Sequence, residues 1–362
     1  MDRLNFSGGP GALPESVLRE AQQAIACVPE EGLSVLGISH RSDWFAAVLA
    51  EAESNVRKLL GLPDDYYVLF LQGGATLQFS MIPMLLLRGS GRTAEYLSTG
   101  YWSAKAIPEA RREGAVKVLW NGEPHGFRRL PRDEELEFGA DAAYLHYVSN
   151  ETVEGLQFHR IVGRDDVPRI CDMSSDFLSA PCDAERFALI YAHAQKNIGP
   201  AGVTLVALRR QLLERAPPDL HSALDYRNQV SAHSIYNTPP VFAIYVVLLV
   251  TRWLLRDVGG LARMAQINRA KSERLYAAID ASDGYYRGRA DAADRSCMNV
   301  VFNLESAALE AEFLRQAAAA GFHGLPGHRS LGGVRASIYN ALSLEAVDAL
   351  CEFMDDFRRR RR

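Results

Sequence analysis

Residues 187–208, FALIYAHAQKNIGPAGVTLVAL, are the most informative part of the sequence about the fold. Its two apolar runs, 187–190 and 203–208, have the length and composition of buried strands. Similar runs come earlier in the chain, and helical patterns occur between them: 66–71, 94–97, 116–120, 142–147 and 168–172. Strands that alternate with helices predict an α/β fold with a mixed, mostly parallel sheet flanked by helices.

The chain after about residue 255 has a different pattern. Helical stretches at 260–280, 306–320 and 343–357 surround a few short runs typical of strands, such as 298–302 and 333–338. This pattern predicts a smaller α+β domain at the C-terminal end.

The length of 362 residues also suggests about two domains. We expect a large domain over residues 16–255. The first 15 residues are rich in glycine and proline, and we expect them to cross the surface of the large domain. The small domain would then comprise residues 1–15 and 256–362.

Charge and composition exclude several classes of protein. Lys and Arg number 40 against 44 Asp and Glu, and this net charge of −4 predicts no binding to nucleic acid or anionic membranes. The longest apolar run, 241–250, is too short to span a bilayer and predicts a buried helix. Five cysteines without a Cys-x-x-Cys pair predict neither a disulfide framework nor a metal site. We expect a cytoplasmic protein whose terminal arginines, 358–362, form a solvated helix end.

Ligands of open α/β sheets bind at the carboxyl ends of the strands, so the residues that follow each strand are the candidates for a site. Gly73 and Gly74 follow the apolar run 66–71 and precede a predicted helix, and such a turn is suited to binding a phosphate group. A tight strand-to-helix turn requires glycine in any case. Asp172 ends an apolar strand, where a carboxylate needs a cation or a strong donor. Helix capping is the alternative role for this aspartate.

Two further candidates follow other strands. Lys196 is the only lysine between Lys117 and Lys271, and it lies among small and apolar residues. Burial favours the neutral amine that Schiff-base chemistry requires, although an ordinary loop lysine remains the alternative. Trp102 offers a flat ring, although a tryptophan is more often part of the core. A phosphate cradle, a carboxylate, a stacking ring and an isolated lysine together match the needs of pyridoxal 5′-phosphate.

The sequence resembles the phosphoserine aminotransferases, within the class V aminotransferases of the pyridoxal-phosphate-dependent fold type I. The resemblance runs nearly end to end. Its most specific segments are Ala194–Gly202, Tyr236–Pro240 and Arg335–Ala341, with further agreement at 5–10, 39–41, 73–79, 100–102, 150–152, 172–175, 295–300 and 327–329.

The resemblance implies roles for individual residues. Lys196 would form the Schiff base and carry the proton, and Asp172 would pair with the ring nitrogen. Asp176 is a second acid nearby, but Asp172 matches the motif. The other residues expected to bind the cofactor are Ala75, Thr76, Trp102, Thr152, Gln195, Asn237 and Thr238. Asn237 and Thr238 would act across a dimer interface, which implies a homodimer with sites between its subunits.

The resemblance also implies how an anionic substrate is bound. Arg335 would hold the α-carboxylate as a bidentate fork. The side-chain phosphate of phosphoserine, or the distal carboxylate of glutamate, would be received by His40, Arg41, His328 and Arg329. Some family members have an arginine at the position of Thr76 that helps to bind the substrate phosphate, whereas others have a small hydroxyl residue there, as this chain does. Gly8 replaces a serine that some members have near the substrate.

The implied reaction converts phosphoserine and 2-oxoglutarate reversibly into 3-phosphohydroxypyruvate and glutamate. This reaction belongs to serine biosynthesis, and 3-hydroxy-2-oxo-4-phosphobutanoate of pyridoxine biosynthesis is a possible further substrate. An aminotransferase or lyase of the same fold with a different substrate is the main alternative. A nucleotide-binding oxidoreductase lacks its Gly-x-Gly-x-x-Gly fingerprint here. A non-catalytic interaction protein would not need Lys196, Asp172 and Trp102 together.

Overall fold

The structure is a computed structural model that describes residues 4–360. The α-helices in this range are, in chain order, α1 Glu15–Ala26, α2 Asp43–Leu60, α3 Gly74–Leu86, α4 Tyr101–Arg111, α5 Tyr226–Ser231, α6 Val241–Trp253, α7 Leu261–Asp280, α8 Ala307–Ala319 and α9 Leu344–Arg359. The β-strands are β1 Tyr66–Leu71, β2 Thr93–Ser98, β3 Ala115–Asn121, β4 Ala142–Val148, β5 Asn150–Glu151, β6 Leu156–Gln157, β7 Arg169–Asp172, β8 Leu189–His193, β9 Thr204–Arg209, β10 Arg287–Gly288, β11 Asn299–Asn303 and β12 Val334–Ser337.

A seven-stranded mixed sheet in the order β1-β9-β8-β7-β4-β2-β3 forms the centre of the molecule. Only β9 runs antiparallel to its neighbours, β1 and β8. A short loop joins β8 to β9 without a crossover helix, and antiparallel pairing is the result of such a direct return. The loop therefore lies at the edge where the parallel strands end, and Lys196 is on this loop.

Both faces of this sheet are buried except along the edge strand β3, because helices cover each side. Val68 and Phe70 point into a core shared with α1, α2 and α6, whereas Leu69 and Leu71 point into a core shared with α3 and α4. Strands buried on both faces consist of nearly continuous apolar runs, which explains why they were predictable. The strand predicted over residues 187–190 lies further along the chain in the structure. Strand β8 begins at Leu189 and ends at His193, which pairs with Thr204.

A second sheet, β10-β11-β12, packs with α7, α8 and α9 around a separate apolar core. Phe6 lies in this core, and its carbonyl oxygen accepts a hydrogen bond from the Ser337 backbone N–H at 3.0 Å. Helix α7 contributes to two of the three cores: Met264 lies in the core shared with α1, α2 and α6, and Leu275 lies in the core of the second sheet. The domain division between residues 255 and 256 therefore stays a prediction.

The structure also describes the apolar run and most of the basic C-terminus that were considered above. The apolar run 241–250 lies within the buried helix α6. No helix in residues 4–360 combines the length and apolar character needed to cross a membrane. Arg358 and Arg359 lie in the last turn of α9 and both pair with Asp355. The predictions for Arg361, Arg362 and residues 1–3 lie outside the described residues.

Lys271 on α7 is a buried ammonium surrounded by backbone oxygens. Its Nζ donates to the carbonyl oxygens of Ile338 at 3.0 Å, Tyr339 at 2.7 Å and Leu342 at 3.0 Å. Burial lowers the pKa of Lys271 to about 7, while the three acceptors favour its charged form. The lysine thus fixes the turn that follows β12.

We expect Lys271→Met to lower the free energy of unfolding by about 3 kcal/mol, because three buried carbonyl groups lose their donor. Urea unfolding at pH 6, where Lys271 is charged, measures this loss. Lys58→Met, at an exposed position of α2, is the matched control and should change the value by less than about 0.5 kcal/mol. Equal losses in the two variants would contradict the structural role of Lys271.

Candidate active site

The candidate residues come together at the edge of the sheet where the parallel strands end. Asp172 is the last residue of β7, and Lys196 lies on the loop after β8. Thr152 follows the short strand β5, and Trp102 is the second residue of α4, which follows β2. The topology therefore brings residues from four separate parts of the chain to one place.

Lys196 is buried, and its amine is held by a hydroxyl group. Its Nζ donates to Thr152 Oγ1 at 2.7 Å and lies 5.0 Å from the centroid of the Trp102 ring. Burial lowers the pKa of Lys196, and the nearby carboxylates of Asp172 and Glu151 oppose this shift. A lowered pKa increases the fraction of neutral amine, which is the nucleophilic form.

Asp172 is fixed by its own chain and by a tyrosine. Its Oδ1 accepts from the Ser174 backbone N–H at 2.8 Å. Burial raises the pKa of Asp172, and Lys196, Ser174 and the Tyr191 hydroxyl oppose the increase. Tyr191 also contacts His146 Nε2 at 2.9 Å. Burial lowers the pKa of His146 to about 3, so this imidazole is neutral at pH 7.

Asp176, the second acid near the predicted ring-nitrogen partner, has other partners. Its Oδ1 accepts from Ser149 Oγ and its Oδ2 from Gln157 Nε2, the latter at 3.1 Å. Burial raises the pKa of Asp176 to about 6. Lys196 is influenced more strongly by Asp172 than by Asp176, which favours Asp172 as the acid of the site.

The first turn of α3 has the form expected for a phosphate site. Gly73 precedes the helix with φ +87°, a conformation that glycine adopts without strain. Ala75 and Thr76 follow in the first turn, where backbone N–H groups have no acceptor within the helix. Gln195 lies next to Lys196, and its backbone oxygen accepts from the Gly11 N–H at 2.7 Å. The N-terminal segment thus passes beside the lysine loop.

Arg335 on β12 reaches the site from the second sheet. Its guanidinium donates to the Thr152 carbonyl oxygen at 3.5 Å, and its buried Nε has no partner among the described residues. Burial lowers the pKa of Arg335. A Cβ at Gly8 would lie 2.5 Å from Arg335 Cζ, so the guanidinium occupies space that a serine there would need.

Two more of the predicted anion-binding residues lie nearby. The His328 ring is 4.7 Å from the ring of Tyr101, the first residue of α4, and its Nδ1 contacts Ser330 Oγ at 2.7 Å. Burial, together with Arg335 and Arg329, lowers the pKa of His328. Arg329 is exposed. This edge of the site is therefore positively charged and open to solvent.

The remaining predicted residues are not joined to the lysine within this chain. Asn237 Nδ2 donates to Gln72 Oε1 at 3.2 Å, and the Thr238 carbonyl oxygen accepts from Gln72 Nε2. Both residues are exposed. Within residues 4–360, no hydrogen bond or ion pair connects the side chain of His40 or Arg41 to Lys196. Their roles, like those of the other site residues, stay predictions.

Sequence reasoning assigned no role to three buried side chains next to the site. Tyr191 supports Asp172, while Glu151 and Glu154 accept hydrogen bonds from the first turn of α4. Two acids three positions apart beside Thr152 were the available signal in the sequence. The sequence alone does not show that both are buried.

These residues fit pyridoxal 5′-phosphate. The buried Trp102 Nε1 has no partner among the described residues, so a polar group of a ligand can complete its hydrogen bonding. Lys196 supplies the amine, Asp172 supplies a carboxylate for the ring nitrogen, and α3 supplies free amides for the phosphate.

Known proteins are similar to this chain over nearly its whole length. The model of the class-V aminotransferase family matches residues 3–350. The phosphoserine aminotransferase of Rhodopirellula baltica is 51% identical over 98% of this chain and 94% of its own.

Solved structures of similar proteins have the same fold. The phosphoserine aminotransferase from Bacillus circulans subsp. alkalophilus is 46% identical with a TM-score of 0.96 over 99% of this chain and 98% of its own. A phosphoserine aminotransferase with bound pyridoxal phosphate, from Trichomonas vaginalis, is 37% identical with a TM-score of 0.91 over 98% of this chain and 99% of its own. The chain therefore belongs to the class-V aminotransferases, a pyridoxal-phosphate-dependent family, and within it to the phosphoserine aminotransferases.

Proposed function

We propose that the enzyme transfers an amino group between O-phospho-L-serine and 2-oxoglutarate, giving 3-phosphohydroxypyruvate and L-glutamate, in cytoplasmic serine biosynthesis. The observation that supports this function most strongly is a pair of hydrogen bonds to Thr152. Its hydroxyl group accepts from Lys196, and its carbonyl oxygen accepts from Arg335. One residue thus keeps a buried amine and a carboxylate-binding guanidinium beside each other.

The bound pyridoxal phosphate supplies an electron sink for the negative charge that develops at the substrate Cα. Lys196 Nζ removes the Cα proton, because its lowered pKa increases the fraction of the neutral amine that can accept it. Thr152 Oγ1 holds that amine in position. Asp172, kept in place by Ser174, provides the negative charge that stabilises a protonated ring nitrogen.

Substrate recognition is proposed to depend on two groups of anion-binding side chains. Arg335 binds the α-carboxylate, which is present in each substrate. His328 and Arg329, at the open edge beside Tyr101, bind the phosphate of phosphoserine or the distal carboxylate of glutamate. Guanidinium groups suit both anions because they donate two parallel hydrogen bonds.

We further propose that the enzyme is a homodimer whose partner completes each site with His40, Arg41, Asn237 and Thr238. Large apolar side chains near these residues are exposed: Leu33 is 52% exposed, Leu36 65% and Tyr236 43%. Leu33 and Leu36 precede His40 in the chain and Tyr236 precedes Asn237, and exposed apolar surface at such positions is what a partner subunit would cover. Measuring the mass in solution by light scattering tests this proposal.

We expect Lys196→Ala to abolish the visible absorption band that forms when pyridoxal phosphate is added to the protein. Transamination of phosphoserine should fall by on the order of 10³-fold or more, because the general base is lost. Lys105→Ala is the matched control, since Lys105 Nζ lies 5.4 Å from the same Trp102 ring but is exposed. A wild-type protein that forms no band with excess cofactor would contradict the proposal.

We expect Arg335→Gln to lower kcat/KM for both phosphoserine and glutamate by on the order of 100-fold, mainly through KM, because a buried charged contact is lost. Arg263→Gln, at an exposed position on α7, should leave these values unchanged. Steady-state kinetics with each substrate provide the measurement.

An aminotransferase of the same fold that acts on another amino acid is the alternative. Arg329→Gln separates the two functions, because it should impair the reaction with phosphoserine more than the reaction with alanine. Faster turnover of non-phosphorylated amino acids, unaffected by Arg329→Gln, would favour the alternative.

A further inference from the structure

Two buried carboxyl groups lie behind Trp102 and against the first turn of α4. Glu151 is 1% exposed and Glu154 is 3% exposed. Burying a carboxyl group is unfavourable unless it is hydrogen-bonded or neutral. The contacts of the two groups differ, and this difference determines where a proton can reside.

Glu151 uses both of its oxygens as acceptors. Oε1 accepts from Thr99 Oγ1 and from the Ser103 backbone N–H, each at 3.1 Å, and Oε2 accepts from the Trp102 N–H at 3.2 Å. Two of these donors are free amides at the start of a helix, where negative charge is favourable. An ionised carboxylate satisfies all three donors, so Glu151 is the charged member of the pair.

Glu154 has only one such contact. Its Oε1 accepts from the Tyr101 N–H at 2.9 Å, whereas its buried Oε2 has no hydrogen-bond partner among residues 4–360. A Cβ at Gly100 would overlap with Glu154 Oε2 and lie 2.7 Å from Glu151 Cδ, so the two carboxyl groups are near neighbours. Two adjacent buried carboxyl groups seldom both ionise. Since no donor compensates a negative charge at Oε2, the proton of the pair is favoured on Glu154 rather than on Glu151.

Several other charged groups face this pair. Arg289 and Arg335 both interact with Glu154, and Lys196 interacts with Glu151. The Nε atoms of Arg289 and Arg335 are buried without partners among the described residues. An ionised Glu154 would therefore attract Arg335 and compete with any other anion for it.

We propose that the pair holds one proton, that Glu154 carries it, and that neutral Glu154 is a positioning residue that leaves Arg335 free for the α-carboxylate of the substrate. The last part rests on the proposed function of Arg335. Burial and the neighbouring Glu151 raise the pKa of Glu154 to about 8, in agreement with the contacts. Glu154 also accepts from the helix that carries Trp102, so it helps to fix the position of the ring.

The proposal has a consequence for binding at alkaline pH. Glu154 ionises as the pH passes about 8, and its new charge then competes for Arg335. Carboxylate binding to the holoenzyme should therefore weaken between pH 7 and pH 9. Glutarate is a suitable probe, because it has two carboxylates and no amine that titrates.

We expect the affinity of the wild-type holoenzyme for glutarate, measured by spectroscopic titration, to fall between pH 7 and pH 9 by on the order of fivefold more than that of Glu154→Gln. Other titrating groups are common to both proteins and cancel in the comparison. At pH 7 the glutamine variant should bind glutarate as wild type does, because its amide imitates a neutral carboxyl group. Glu154→Ala should bind more weakly, since it loses the contact with Tyr101. Equal pH dependence in wild type and Glu154→Gln would overturn the proposal.

The proton on Glu154 can also be detected directly, without measuring transamination or ligand binding. The infrared difference spectrum between wild type and Glu154→Gln should contain the carbonyl stretch of a protonated carboxyl group at pH 7, and this band should disappear above pH 9. If Glu154→Gln does not fold, carbon NMR of wild type labelled at the glutamate side-chain carboxyl gives the same answer. A buried glutamate that titrates near pH 8 supports the proposal, and the absence of one overturns it.

Glu151→Gln is the matched comparison within the pair. Its amide would place a donor against the donors of α4, so we expect this variant to alter the absorption of the bound cofactor and to weaken glutarate binding, unlike Glu154→Gln. Similar behaviour of the two glutamine variants would overturn the assignment of the proton to Glu154. If phosphoserine proves not to be a substrate, only the proposed function fails. If Glu154 is ionised at pH 7 while transamination proceeds, only the present inference fails.

Discussion

Opposite charges are buried together in a small space, and the arrangement of the site follows from the need to compensate each of them. Lys196 and Arg335 are brought together by one residue, Thr152, and carboxyl groups surround them. Each charge is unfavourable alone in the interior, so each has to be paired, hydrogen-bonded or neutralised by a proton. Burial lowers the pKa of Lys196 and raises the pKa of Asp172, and the opposite charge of each residue opposes the shift of the other.

The fold satisfies this constraint by bringing distant segments of chain to one edge. The antiparallel return from β8 to β9 places the lysine loop beside the end of β7, where Asp172 lies. The first turn of α4 rests on Glu151 and Glu154, so the stacking ring is fixed by the same carboxyl groups that face the cations. A displacement of α4 would therefore disturb both the ring and the charge balance.

The sequence predicted the sheet and indicated two candidate site residues, because both inferences depend on local patterns. Buried strands are apolar runs, and Lys196 and Asp172 stand out where such runs end. Glu151 and Glu154 were not recognised because their partners, at 99–103, are about fifty residues away. Tyr191 belongs to an apolar strand and looks like an ordinary core residue until its hydroxyl is seen beside Asp172. The roles of Asn237 and His40 followed only from the resemblance.

Gly8, where some family members have a serine, illustrates how a difference in sequence is related to packing. The guanidinium of Arg335, for which we propose a substrate-binding role, lies near Thr152, and the N-terminal segment passes directly beside it. The Gly8 carbonyl oxygen accepts from the Tyr339 hydroxyl at 3.0 Å, which fixes the backbone in that place. Since this backbone is fixed, a side chain at position 8 would require the guanidinium of Arg335 to move. The observed position of Arg335 therefore uses space that the missing side chain of Gly8 leaves open.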